Sequence, residues 1–129
     1  MFMTLMAELR RIASTLRWSL NGWAAAWATE KSLRQWTVLH LASCALALAL
    51  PLSPAERALI IALGFLVLAA ELMNTAIETA VDDISEDPRD AARKAKDCAS
   101  AGVALCALAA AAAWAVSLWG LLAGQAAAM

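Results

Sequence analysis

ELMNTAIETAVD, residues Glu71–Asp82, places Glu71, Asn74, Glu78 and Asp82 at spacings of three, four and four. That is the period of a helix, and it gathers all four side chains within about 80° of arc. The stretch just before it, Ala58 to Ala70, carries no charge. The polar face therefore sits at the end of an apolar helix. A carboxylate at the centre of a membrane costs about 2.5–3.5 kcal/mol on insertion scales. Such a face has to meet protein, water or a bound cation rather than lipid.

Working back from this stretch, PLSP (Pro51–Pro54) ends one helix and opens the next. Ser53 can cap the new helix, with Pro54 at its first position and Glu56 in its first turn. The spacing predicts a second span over 54–84. At 1.5 Å per residue it measures about 45 Å, longer than the hydrocarbon layer, so its far end projects into the interface or the cytoplasm. Upstream, residues 33–50 form a first span interrupted by His40, which is expected to be packed or water-facing. Downstream, Asp82 to Asp97 is charged, and Asp87-Pro88 marks a turn after which a helix can restart. A third span follows over 96–122, with Trp114 and Trp119 near its far end, where aromatic belts lie.

The N-terminal residues read differently. Leu5, Leu9, Ile12, Leu16, Leu20, Trp23 and Trp27 fall on one narrow stripe, with Arg10, Ser14, Arg17 and Asn21 opposite. The pattern predicts an amphipathic helix over 5–28 lying in the membrane interface. The alternative is a helix packed on a soluble core, which the neighbouring spans argue against. Glu8, Arg10, Arg11 and Arg17 interrupt any signal-peptide core.

Composition agrees with a single membrane domain of 129 residues. Hydrophobic residues make up 63%, against about 45–50% in soluble domains. A net charge of −1 offers nucleic acid no attractive field, so it is not an expected partner. The basic residues flank one side: Arg10, Arg11, Arg17, Lys31 and Arg34 before the first span, Arg89, Arg93, Lys94 and Lys96 before the third. The positive-inside rule then puts the N-terminus and the second polar loop in the cytoplasm. Cys44, Cys98 and Cys106 form no CxxC pair and read as small packing residues.

Three chemistries suit the acidic face. Paired carboxylates can hold a divalent cation through hard oxygen ligands. A glutamate in partly apolar surroundings can serve as a general base. The same residues could line an ion or proton pathway, or simply hold the spans together by hydrogen bonds. Glu30, Lys96, Asp97, Arg11 and Ser19 are expected near the same end, and carboxylates beside Lys and Arg suit a Mg²⁺-bound polyphosphate. No GxxxxGK[ST] loop and no DFG or HRD element is present, so nucleotide handling would need an unrelated solution.

Three blocks together, SLNGWAAAWATEKSLRQ (Ser19–Gln35), ELMNTAIETAVD and AKDCASA (Ala95–Ala101), resemble the prokaryotic diacylglycerol kinase family, from about Arg11 to Gly120. The resemblance implies an all-α membrane protein, with a surface helix and three transmembrane helices per subunit, assembled as a homotrimer in the bacterial inner membrane. It implies transfer of the γ-phosphoryl group of MgATP to a lipid alcohol. By that likeness Glu71 is the general base, and Glu30 and Glu78 hold the metal with ATP. Arg11, Trp18, Ser19, Lys96 and Asp97 lie beside the nucleotide. Asn74, Ser100, Trp23, Trp27, Lys31 and Arg34 lie on the lipid side. Trp36 and Ala24 depart from residues common in relatives, and Ser85–Asp90 matches weakly. Diacylglycerol is the expected acceptor, with undecaprenol the related alternative. A small ion transporter is the competing class, against which stands the absence of an internal repeat.

Overall fold

A computed structural model describes residues 2–85 and 87–127 of the chain. It contains four helices: α1 (Phe2–Thr29), α2 (Lys31–Ala49), α3 (Pro54–Ile84) and α4 (Asp90–Ala127). No strand occurs among the described residues. At 1.5 Å per residue, the 31 residues of α3 run about 46 Å and the 38 of α4 about 57 Å.

Each break has a local cause. Glu30 alone separates α1 from α2, with extended φ/ψ of −90° and 110°. Its amide still donates to the Ala26 carbonyl at 2.7 Å, closing the last turn of α1. Arg34 Nη1 donates to the Trp27 carbonyl at 2.6 Å and to that of Ala28 at 3.4 Å, reaching back to carbonyls that a helix end leaves open. The expected cap at Ser53 is complete: its hydroxyl accepts from the Glu56 amide at 3.3 Å, and the Glu56 carboxylate accepts from the Ser53 amide at 2.8 Å. Arg57 crosses the turn to donate to the Leu50 carbonyl at 3.1 Å. Arg89 does the same at the end of α3, donating to the carbonyls of Val81 and Ser85, each at 3.3 Å. α4 then starts at Asp90 as one continuous helix. Arg93 lies 3.6 Å from both Asp90 and Asp97 on its first turns, which supports helix well before the apolar part begins.

α3 is the centre of the packing, with α2 and α4 against it and α1 touching only lightly. One buried cluster joins Ala26 of α1, Leu33 of α2 and Leu68 of α3, flanked by Trp23, Trp36 and Leu72. A second joins Ala47, Leu52 and Ile60, with Ala113, Trp114 and Leu121 of α4. Trp114 Nε1 donates to the Ser43 hydroxyl at 2.8 Å, a polar tie between α4 and α2. Gly64 lets α2 and α3 meet closely: a Cβ there would overlap the ring of His40.

Most large apolar side chains point outward, among them Val38, Leu41, Leu66, Leu105, Val116 and Trp119. α3 and residues 90–124 of α4 are long and apolar enough to cross a membrane. α2 carries Lys31, Arg34, Gln35 and His40 among its 19 residues and is not apolar enough to stand with them on composition. Along α1, Leu9, Ile12, Leu16 and Leu20 are all more than half exposed. That stripe is not packed on a core within the chain.

His40 is packed: it is 7% exposed and meets Phe65 edge-on at 4.6 Å between centroids. Its ring nitrogens lie 3.7 Å from the Cys44 sulfur. All three cysteines are free thiols.

Candidate functional site

The polar face of α3 grades from buried to exposed along its length. Glu71 is 5% exposed, Asn74 and Glu78 are half-buried, and Asp82 is exposed. Among the described residues, neither the Glu71 nor the Glu78 carboxylate has a hydrogen-bond or ion-pair partner in the chain. The Asn74 Oδ1 atom is fully buried and accepts nothing. Buried polar groups normally find partners, because leaving one unmet costs about 1–3 kcal/mol. Asn74 Oδ1 is the side-chain oxygen of this face that is fully buried without a partner among the described residues.

The junction of α1 and α2 docks beside this face. Leu68 and Leu72 sit one turn before Glu71 and one residue after it, and they pack with Ala26, Leu33 and Trp23. Trp23 and Trp27 stack on each other at 6.3 Å. Glu30 is half-buried at the N-cap of α2 but makes no capping bond with its side chain. Instead the Thr29 hydroxyl donates to Glu30 Oε1 at 2.8 Å. Lys31 is exposed, while Arg34 is engaged with the end of α1.

The cytoplasm-facing set expected from the sequence is only partly assembled in one chain. Lys96 Nζ meets Asp82 Oδ1 at 2.5 Å, tying α4 to α3. Both line a polar cleft of about 480 Å³, with Ser85, Arg89, Arg93 and Asp97. Ser85, Asp87 and Pro88 of the loop, with Asp90 at the start of α4, thus form part of its wall. Arg89 and Arg93, which the sequence marks only as part of the basic flank before the third span, are lining residues of this cleft; a basic residue just past a helix end is the available signal for Arg89. Ser100 lies exposed beyond the cleft. On α1, Arg11 pairs with Glu8 at 2.9 Å, both well exposed. Trp18 is 68% exposed, and the Ser19 hydroxyl donates to the Thr15 carbonyl at 3.1 Å. Arg11, Trp18 and Ser19 make no polar contact with the α3 carboxylates.

The metal question turns on donor chemistry. No group of three His, Cys, Asp or Glu that could hold an ion occurs among the described residues. Mg²⁺ does not require one, since it usually binds through one or two carboxylates, phosphate oxygens and retained waters. Glu30 and Glu78 are half-buried hard oxygen donors of that kind, so the residues present fit it. Farther along the bundle, a groove of about 750 Å³ runs between α2 and α4 over α3, walled by Trp36, Leu39, Val67, Leu108 and Trp114. It is apolar and carries no comparable chemistry.

Comparison with known proteins finds a match to the family model described as prokaryotic diacylglycerol kinase over residues 17–118. The diacylglycerol kinase of Pseudomonas aeruginosa is 40% identical over 93 residues, covering 72% of this chain and 76% of that protein. That of Escherichia coli K12 is 34% identical over 109 residues, covering 84% of this chain and 89% of that protein. The Helicobacter pylori J99 enzyme is 38% identical over 91 residues, 70% of this chain and 71% of its own.

Proposed function

This chain belongs to the prokaryotic diacylglycerol kinase family, and from that premise we propose how it phosphorylates its lipid. It is a kinase acting on diacylglycerol, with ATP as co-substrate. Glu71 takes the proton of the lipid hydroxyl. The freed oxygen attacks the γ-phosphorus of ATP, the bond to the bridging oxygen of ADP breaks, and phosphatidic acid and ADP leave. The proton on Glu71 then passes to water.

The observation that carries this reading is the Glu71 carboxylate, buried and unpaired among the described residues, on a helix fit to cross a membrane. Its acceptor capacity is left for a substrate hydroxyl. Asn74, one turn on, orients the same hydroxyl by donating its side-chain N–H to the lipid oxygen. Glu78 lies about 10 Å along the helix from Glu71, which separates a group for the lipid from one for the nucleotide. Glu30 and Glu78 would hold Mg²⁺, which neutralises charge on the transferring phosphoryl group when bound with ATP. Lys96, Asp97, Arg11, Trp18 and Ser19 attend the nucleotide. Ser100, Trp23, Trp27, Lys31 and Arg34 attend the lipid, Arg34 chiefly by fixing the end of α1.

The membrane arrangement follows the same reading. α1 lies in the interface on its exposed leucine stripe, and α2, α3 and α4 all cross, as one domain over the whole chain. α2 gains the company of α3 and α4, which makes its modest apolarity sufficient. The N-terminus and the α3–α4 loop face the cytoplasm, by the clustering of Lys and Arg there. The site is completed by other copies in a homotrimer. Supporting this, Arg11, Trp18 and Ser19 make no polar contact with the α3 carboxylates of their own chain.

The test is lipid phosphorylation in mixed micelles with labelled ATP, offering diacylglycerol and undecaprenol separately. Diacylglycerol is labelled preferentially. Glu71→Gln lowers turnover by about 10²-fold or more while ATP still binds. Near-normal turnover in that variant removes Glu71 from the base role.

A further inference from the structure

The place to look for a further working residue is Glu30, whose surroundings are unusually defined. Its amide donates to the Ala26 carbonyl at 2.7 Å, and Arg34 of α2 clamps the carbonyls of Trp27 and Ala28 just before it. Its side chain makes no capping bond and joins no ion pair among the described residues. The orientation of the carboxylate is therefore set by one contact, the Thr29 hydroxyl on Oε1 at 2.8 Å.

That hydroxyl has a second acceptor within reach, the Ala25 carbonyl at 3.4 Å. It has one proton and cannot serve both at full strength. The carboxylate is nearer and charged, and hydrogen bonds to ionised acceptors are shorter and about twice as strong. The proton goes to Glu30, occupying Oε1 and leaving Oε2 with no partner among the described residues. Glu30 also stands at the N-terminus of α2, where the helix dipole favours a negative charge.

We propose that Thr29 is a positioning residue for the divalent cation. Its hydroxyl holds one oxygen of Glu30 so that the other is presented, already oriented, to the metal of the ATP complex. This rests on the reading of Glu30 as a metal ligand. A glutamate without such a tether spends binding free energy on ordering its own rotamers before it can ligate.

The experiment measures Mn²⁺ binding to the purified protein with a non-hydrolysable ATP analogue and no lipid, following free Mn²⁺ by electron paramagnetic resonance. Thr29→Val keeps the shape and removes the hydroxyl at an exposed position. It should raise the half-saturating Mn²⁺ concentration about fivefold, the size of one partly exposed hydrogen bond. Thr29→Ser should restore it, and the KM for diacylglycerol should not move. Thr29→Ala carries the same test should the valine variant fail to assemble. Glu30→Gln is titrated in parallel. If Glu30→Gln shifts the curve and Thr29→Val does not, the positioning role is wrong and the ligand role stands. If neither shifts, both are wrong.

Discussion

Replacing Gly64 with alanine should be among the most damaging single-methyl changes in the bundle. A Cβ there would overlap Nδ1 and Cε1 of the His40 ring and lie 3.1 Å from Cγ. Carbon atoms at ease sit about 3.5–4.0 Å apart, so α2 or the ring must move by on the order of 1 Å. The ring has little room, being 7% exposed and set edge-on against Phe65 at 4.6 Å. Overpacking of this kind costs about 1–3 kcal/mol, and 2 kcal/mol is about a thirtyfold shift in the folding equilibrium. Activity should fall as well. α2 begins at Lys31, so pushing it off α3 shifts Glu30 relative to Glu78, and a 1 Å misplacement can cost about 10²-fold in rate. The assay is a denaturing-detergent titration followed by tryptophan fluorescence, alongside micelle turnover. Gly64→Ala is compared with His40→Ala and the double variant. The double variant should recover most of what Gly64→Ala loses, because the ring that was struck is gone. An unfolding midpoint for Gly64→Ala equal to that of the parent protein would refute the close approach of α2 and α3 at this level.

Other consequences can be checked alongside. Glu30→Gln and Glu78→Gln should each raise the Mg²⁺ concentration needed for half-maximal turnover; a variant with an unchanged titration leaves the metal set. Ser53→Ala removes the hydroxyl that accepts from the Glu56 amide, and should lower stability by about 1 kcal/mol without changing either KM. Lys96→Met should raise the KM for ATP and leave that for diacylglycerol unchanged; equal changes in both would place Lys96 outside the nucleotide contacts. Ser43→Ala should cost about 1 kcal/mol by leaving the indole N–H of Trp114 without its acceptor, readable in the same detergent titration.

The helices and the cap at Ser53 were legible because their causes are local, whereas α4 starts at Asp90, six residues before the span read from 96. Ser53, Pro54 and Glu56 carry the whole capping box in four residues, and the apolar runs declare α3 and α4 by length alone. The polar face of α3 was legible for the same reason, being a matter of phase on one helix. What spacing could not supply was contact between distant residues. Lys96 on Asp82, Trp114 on Ser43 and Arg34 on the carbonyls of α1 depend on how helices are laid together. The polar residues of α2 also obscured it: Lys31, Arg34, Gln35 and His40 lower its apolarity, although two of them are taken up by packing or capping. Arg11, Trp18 and Ser19 mark the farther limit, since one chain does not bring them to the carboxylates at all.

The single residue between α1 and α2 has a mechanical consequence. With only Glu30 separating them, the two helices behave as meshed gears without slack. Adding or deleting one residue there turns one helix by about 100° relative to the other. Such a change would swing Trp23 off the Leu68 contact, spoil the reach of Arg34 and turn the exposed leucine stripe to a different side of the bundle, all in one step. The PLSP corner at the opposite end is longer but is pinned as well, by buried Leu52, the Arg57 bond to Leu50 and the Ser53–Glu56 cap. Length is therefore a specified quantity at both ends of α2, through backbone phase at one and side-chain ties at the other.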